Sequence, residues 1–232
     1  MSKAKTTKEF FEEWQPYDLL VTHNYMRHQE MIDCLRKQWL EAVKPESSLL
    51  ELGCGNAFVV SEALGDQRGL KYTGIDLSET ALSAAEQRLS TTDWSIDLIE
   101  GDIIACIENL DQTFDCIVSG FSLHHFSPSQ TLGLLRKMRS LLKPGGLTVI
   151  YDILTREGET REDFLERLIA GADFDGFGFS QSQSETVSEH VRGNDYPVSL
   201  STWESWAKDA EFREVTCVYR DAEEYYGFLI LN

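Results

Sequence analysis

The run Leu49-Leu50-Glu51-Leu52-Gly53-Cys54-Gly55-Asn56-Ala57 constrains the fold more than any other segment. An apolar stretch that ends in an acid and two close-set glycines reads as a buried strand turning sharply into a helix. Glycine gives such a turn dihedrals that other residues avoid, and it lets a ligand approach backbone that a β-carbon would shield. The segment is therefore expected to cradle a cofactor. The dinucleotide fingerprint G-x-G-x-x-G needs a third glycine at position 58, which is Phe58, so it fits poorly.

Further elements follow at regular intervals. Lys71-Tyr72-Thr73-Gly74-Ile75-Asp76-Leu77 reads as a second strand ending in an acid, and a carboxylate there can accept hydrogen bonds from ribose hydroxyls. Ser78 is placed to cap a helix through Ala81, Leu82, Ala85 and Leu89. Ser95 to Ile103 reads as a third strand ending in Gly101-Asp102, and Phe114 to Phe126 as a fourth strand opening into a loop with His124 and His125. Ser127-Pro128 starts a helix with apolar Leu132, Leu135, Met138 and Leu142. Lys143-Pro144-Gly145-Gly146 ends it, and Leu147 to Asp152 follows as a fifth strand. This alternation predicts an α/β fold: a doubly wound, mostly parallel sheet with helices on both faces and ligands beyond the carboxyl ends of the strands.

Glu51-x-Gly53-x-Gly55-x-Ala57 resembles the first motif of the class I S-adenosylmethionine-dependent methyltransferases, with Ala57 where that family usually has a third glycine. The resemblance covers about residues 48 to 152 by motif, through Leu142-Lys143-Pro144-Gly145-Gly146, and the remainder by architecture. It implies a Rossmann-like, seven-stranded sheet whose last strand lies antiparallel beside the fifth. S-adenosyl-L-methionine is the implied cofactor and S-adenosyl-L-homocysteine its product. Gly53 and Gly55 are then expected at the methionine portion, Asp76 on the ribose, Leu77 against the adenine and Asp102 on its amino group, with Glu51, Cys54 and Ile103 also among the cofactor-binding residues. Ser119, Gly120 and Phe121 are expected to wall the cofactor near its methionine end.

Size and composition bound the reading. The 232 residues suit one larger domain with appended segments: an N-terminal helical cap over 1–45, a cofactor core over 46–152, a lid and substrate-pocket segment over 153–200, and a closing helix and hairpin over 201–232. A formal charge of −18, with 21 Lys and Arg against 39 acids, disfavours a nucleic-acid partner. No run approaches the ~18 apolar residues of a membrane helix, and Met1 to Lys8 has no apolar signal region. A cytoplasmic location is expected, and oligomerisation stays open. The five cysteines, at 34, 54, 106, 116 and 217, form no C-x-x-C pair and indicate no metal site. Cys54 reads as a small apolar spacer between glycines, the alternative being a nucleophile.

The flanks supply the acceptor pocket in this reading. The N-terminal region reads as amphipathic helix, with Phe10, Phe11 and Trp14 and then Met26, Met31, Leu35 and Trp39. Tyr17, Tyr25 and His28 are its candidate pocket residues, joined by Tyr151 at the fifth strand and Phe177 of the Phe174-to-Phe179 stretch. The alternatives are aromatics packed on the sheet with His28 facing solvent for the first group, and a hydrophobic cluster under a long loop for the second. Arg156 to Leu168 reads as a charged helix, Ser180 to Ser184 as a polar loop, and Arg213 to Tyr219 with Tyr225 to Leu231 as a hairpin.

Methyl transfer from a sulfonium is an in-line displacement whose donor already carries the activation, so alignment and water exclusion dominate and a base is optional. His124, His125 and Asp152 are the candidate catalytic groups, placed where strand ends border the methyl. For the two histidines the alternative is a role in holding their own loop. A small-molecule methyl acceptor is the expected partner. The competing readings are a protein or RNA methyltransferase, a protein that binds S-adenosylmethionine without catalysis or modifies it, and, last, a dinucleotide dehydrogenase.

Overall fold

The computed structural model describes residues 21, 23–42, 44 and 46–232. Tyr17, Phe10, Phe11 and Trp14 lie outside the described residues. The first strand, β1 (Ser48–Leu52), turns through the glycine pair into α2 (Phe58–Leu64), and α1 (His28–Ala42) precedes both. Then come β2 (Lys71–Asp76), α3 (Glu79–Leu89), β3 (Ser95–Glu100), α4 (Ile103–Glu108) and β4 (Phe114–Gly120), followed by a 3-10 turn at Leu123–His125. The chain continues with α5 (Pro128–Leu141), β5 (Leu142–Thr155), α6 (Arg161–Ala170), α7 (Gln181–Asn194), β6 (Val198–Ser199), α8 (Leu200–Asp209), β7 (Val215–Arg220) and β8 (Tyr226–Leu231).

The strands form one sheet in the order β3-β2-β1-β4-β5-β8-β7, parallel from β1 to β5. As expected, β8 lies antiparallel against β5, with Tyr151 opposite Phe228, and β7 closes the edge. An eighth strand not foreseen from the pattern, β6, pairs two residues in parallel with the end of β5.

Successive residues of a strand point to opposite faces, and the central strands are apolar on both. Leu49, Tyr72, Val118 and Val149 join Met31, Leu35 and Trp39 of α1 and Val60 of α2 in one core. Leu50, Leu52, Ile75, Ile117 and Ile150 join Leu135 and Met138 of α5 and Trp203 of α8 in the other. Each fully buried aliphatic side chain stabilises by roughly 1.5–3 kcal/mol relative to exposure. The three-layer sandwich follows from this two-sided burial.

Local signals account for the helix starts. Ser78 Oγ accepts from Ala81 N at 3.2 Å, and Pro128 occupies the first turn of α5, where its missing N–H costs nothing. Three expectations are corrected. The charged helix begins at Arg161 rather than Arg156, because Gly158 takes φ +76° and Thr160 caps the helix from Asp163 N. Ser180 to Ser184 is no loop: Ser180 and Gln183 build a capping box that opens α7. Finally, Lys143 to Gly146 is not a break before β5. Pairing runs from Phe114 with Leu142 to Cys116 with Leu147, so the Pro-Gly-Gly stretch bulges out within the ladder.

Candidate cofactor and acceptor site

The glycine turn lies at the carboxyl ends of the central strands. Gly53 and Gly55 take φ of +68° and +50°, and the N–H groups of Gly53 and Cys54 both donate to Ile75 O, at 2.8 and 3.0 Å. A β-carbon on Gly53 would stand 1.9 Å from Ser122 Oγ. Ala57, in the family's third glycine position, is also left-handed at φ +55°, a conformation that costs a non-glycine residue about 1–2 kcal/mol. The turn keeps its shape there in spite of the methyl group.

Around this turn is a cleft lined by Glu51, Gly53, Cys54, Gly55, Asn56, Phe58, Val59, Gly120, Phe121 and Tyr151. Seven expected residues thus meet at one place. Asn56, Phe58 and Val59 were not anticipated; they belong to the first turn after the glycines, which the motif's position could have indicated. Asp76 stands at the end of β2 and accepts from Gly55 N at 2.8 Å and Ser78 N at 2.9 Å. Leu77 follows it, half-buried. Asp102 is exposed and caps α4 from Ala105 N at 3.0 Å, with Ile103 buried behind it. Ser119 is not on the cleft: its hydroxyl donates across to Leu52 O at 3.2 Å, because alternate residues of β4 face opposite sides.

Burial sets the protonation of the groups beneath the cleft. Glu51 is 3% exposed and accepts from the Tyr72 hydroxyl at 2.6 Å. Burial pushes its carboxyl up to about 8, against the Tyr72 hydrogen bond, with the Asp76 charge adding to the rise. Asp76 is also raised by burial, opposed by the N–H groups of Ser78, Gly55 and Leu77. Cys54 is buried and its thiol is pushed well above the usual range, first by burial and then by Glu51 and Asp76. An inert thiol follows, as the spacer reading expects.

An aromatic wall closes the other side. Phe121, itself left-handed at φ +49°, donates its N–H to Tyr151 O at 2.8 Å. Its ring meets Tyr151 at 5.3 Å, Tyr226 at 6.0 Å and His28 at 5.5 Å, all edge-on. His28 also faces the Phe58 ring at 6.2 Å. Burial lowers the His28 pKa to about 4, so its imidazole is neutral at neutral pH. Farther along, Phe177 meets Tyr25 at 5.0 Å and His23 at 5.2 Å, which brings the 174–179 stretch against the N-terminal segment.

His124, His125 and Asp152 do come together, but in an enclosed charge cluster whose residues are not among those lining the cleft. His124 Nδ1 is paired with Asp152 Oδ1, and its backbone N–H donates to Asp152 Oδ2 at 3.1 Å. Asp195 completes the cluster, its Oδ1 3.1 Å from His125 Nδ1 and 3.9 Å from His124 Nε2. Burial pulls His124 down, yet Asp152 and Asp195 outweigh it and lift its pKa to about 9. His125 is lowered by burial and by His124. Without another cation His124 is therefore an imidazolium at neutral pH and no proton acceptor. Asp195 and the neighbouring His190, whose ring lies 5.5 Å from that of His125, escaped the sequence reading because they follow a segment without a motif.

Similarity to known proteins agrees with this geometry. Residues 49–146 match the family model described as a methyltransferase domain. The chain is 29% identical over 159 residues to a demethylmenaquinone methyltransferase of Bacillus cereus, covering 65% of this chain and 63% of the relative. It is 30% identical over 178 residues to a carboxy-S-adenosyl-L-methionine synthase of Aeromonas salmonicida, covering 73% of this chain and 68% of the relative. The chain thus spans less than two thirds of the first of these and just over two thirds of the second. In fold it is similar to magnesium protoporphyrin IX methyltransferase from Synechocystis, solved with bound S-adenosylhomocysteine, with a TM-score of 0.65 at 12% identity over 97% of this chain and 96% of that one. By motif, topology and kinship, the chain belongs to the class I S-adenosylmethionine-dependent methyltransferases.

Proposed function

We propose that this protein transfers a methyl group from S-adenosylmethionine to an oxygen, nitrogen or carbon nucleophile of a small molecule. The observation that carries the reading is the cleft itself, in which a left-handed glycine turn meets an aromatic wall from β4 and β5. In this proposal Glu51, Gly53, Cys54 and Gly55 hold the methionine end, Asp76 the ribose, and Leu77, Asp102 and Ile103 the adenine. Phe121 and Tyr151 fix the plane in which the methyl meets its acceptor. The 153–200 segment serves as lid, supported by the seating of Phe177 on Tyr25. Relatives whose names denote small-molecule chemistry support the acceptor class.

The cofactor supplies a methyl group already activated as a sulfonium. What the chain adds is alignment and a dry, aromatic surround, in which an in-line displacement needs no covalent help. Neutral His28, edge-on to the two Phe rings, is the group suited to take a proton from the acceptor. The alternative of cofactor modification, raised by the carboxy-S-adenosylmethionine synthase relatives, finds less support. No lysine or arginine is among the described residues lining the cleft to face an added carboxylate.

The test is calorimetric titration with S-adenosylmethionine and S-adenosylhomocysteine, followed by labelled methyl transfer into separate metabolite and macromolecular extracts. Micromolar binding with label in the metabolite fraction is expected. No binding by the folded protein would overturn the proposal, and label confined to protein or RNA would overturn the acceptor class.

A further inference from the structure

We propose that His124, His125 and Asp195 form a site for one divalent transition-metal cation of the zinc type, which fastens the segment after α7 to the turn after β4. One ligand atom from each of the three lies within 4.8 Å of the other two. The closest separations, 3.1 Å from His125 Nδ1 to Asp195 Oδ1 and 3.9 Å from His124 Nε2 to the same oxygen, bracket the roughly 3.3 Å between donors around a tetrahedral ion with bonds near 2.0–2.1 Å. Small side-chain adjustments would bring all three to bonding distance. The side chains are enclosed, at 7%, 15% and 6% exposed.

The arrangement also has the support that metal-binding histidines require. Asp152 takes His124 Nδ1, which fixes the ring and directs Nε2 toward Asp195. A carboxylate on the far nitrogen of a ligating imidazole orients the ring and raises its basicity. Two carboxylates are buried in this cluster, at 1% and 4% exposed, and buried charges are found paired or bound to metal. Two imidazoles with one carboxylate select a transition ion over magnesium or calcium, which favour all-oxygen sets.

The ligands come from opposite sides of a seam. His124 and His125 stand on the 3-10 turn that follows β4, whereas Asp195 ends α7. Backbone already joins them, Tyr196 N to His124 O at 2.6 Å, and Arg161 Nε of α6 donates to Asp195 O at 2.6 Å. A cation would lock this junction and so set the position of the pocket segment. The inference does not rest on methyl transfer: it needs only the three side chains and their geometry.

The experiment uses the full chain, stripped with a chelator and titrated with Zn²⁺ by calorimetry, alongside His125→Ala and Asp195→Asn. Wild type is expected to take one equivalent per chain, and each variant to lose at least about 100-fold in affinity, the upper end for a lost supporting contact. Binding of S-adenosylhomocysteine, measured on the same samples, reports on folding and on the cofactor site separately. Zinc-edge absorption of the wild type answers the question even if a variant misfolds, with nitrogen and oxygen ligands expected. No stoichiometric zinc on the folded wild type, undiminished affinity in both folded variants, or sulfur ligation would each overturn the proposal.

Discussion

The backbone N–H of Gly55 donates to Asp76 Oδ2 at 2.8 Å, tying the glycine turn after β1 to the acid that ends β2. Ser78 N holds the other oxygen at 2.9 Å. A carboxylate fixed in this way by two backbone donors retains acceptor capacity on both oxygens, which is what paired ribose hydroxyls require. Asp76→Ala is expected to weaken S-adenosylhomocysteine binding by more than ~1 kcal/mol, beyond a typical neutral hydrogen bond. Calorimetry decides it, and an unchanged dissociation constant would remove Asp76 from the site.

Close approach makes glycine necessary at two walls of the cleft. A β-carbon would lie 1.9 Å from Ser122 Oγ at Gly53, where φ is +68°, and 2.0 Å from the Tyr151 ring at Gly120. Gly53→Ala adds backbone strain of about 1–2 kcal/mol to its clash. It should lower both the melting temperature and cofactor affinity. Gly120→Ala should displace Tyr151 and show chiefly as lost methyl transfer. Wild-type behaviour of either variant in thermal melts and turnover assays would refute the close packing seen here.

Glu51 predicts a pH dependence of stability. Its folded pKa of about 8 exceeds the ordinary 4.5, so between these values the folded chain binds more protons than the unfolded one and stability falls as pH rises. Glu51→Gln, which leaves an acceptor for the Tyr72 hydroxyl, should flatten this slope. Urea denaturation from pH 5 to pH 8 measures it. Parallel curves for the two proteins would show that Glu51 is ionised throughout.

His28 titrates with the opposite sign. Its folded pKa of about 4 lies below the ordinary 6.5, so the stability of burying the neutral ring is full above pH 6.5 and is lost as pH falls toward 4. His28→Phe should be less sensitive to acid over that window in the same denaturation series. Equal acid sensitivity would place a charged imidazole in the wall.

Asp152 compensates a buried imidazolium in the metal-free protein. Removing one partner of a buried ion pair costs about 3–5 kcal/mol, and Asp152→Asn should approach that loss below pH 6.5. Because the His124 folded pKa, about 9, stands above 6.5, its contribution fades as pH climbs from 6.5 through 9. The variant and wild type should therefore converge in alkali. A constant gap across this range, read by equilibrium unfolding, would deny the coupling.

Local chemistry determined most of the core. The strand before Gly53, the acid that ends β2, the Ser78 cap and the apolar period of α5 each depend on residues a few positions apart, so they are legible in the chain as written. The cradle residues were accessible for the same reason, whereas the antiparallel last strand was accessible only through the family to which the order of motifs pointed. Capping misled where it was overlooked: Ser180 and Gln183 open a helix that composition alone rendered as a loop. What only tertiary structure decided is which distant side chains meet. His28 reaches Phe121 across 93 positions of chain, and Asp195 reaches His124 and His125 across about 70. Such contacts arise from the crossing of layers and leave no periodic trace. The protonation of His124 was equally hidden, because it depends on two carboxylates that the fold buries beside it.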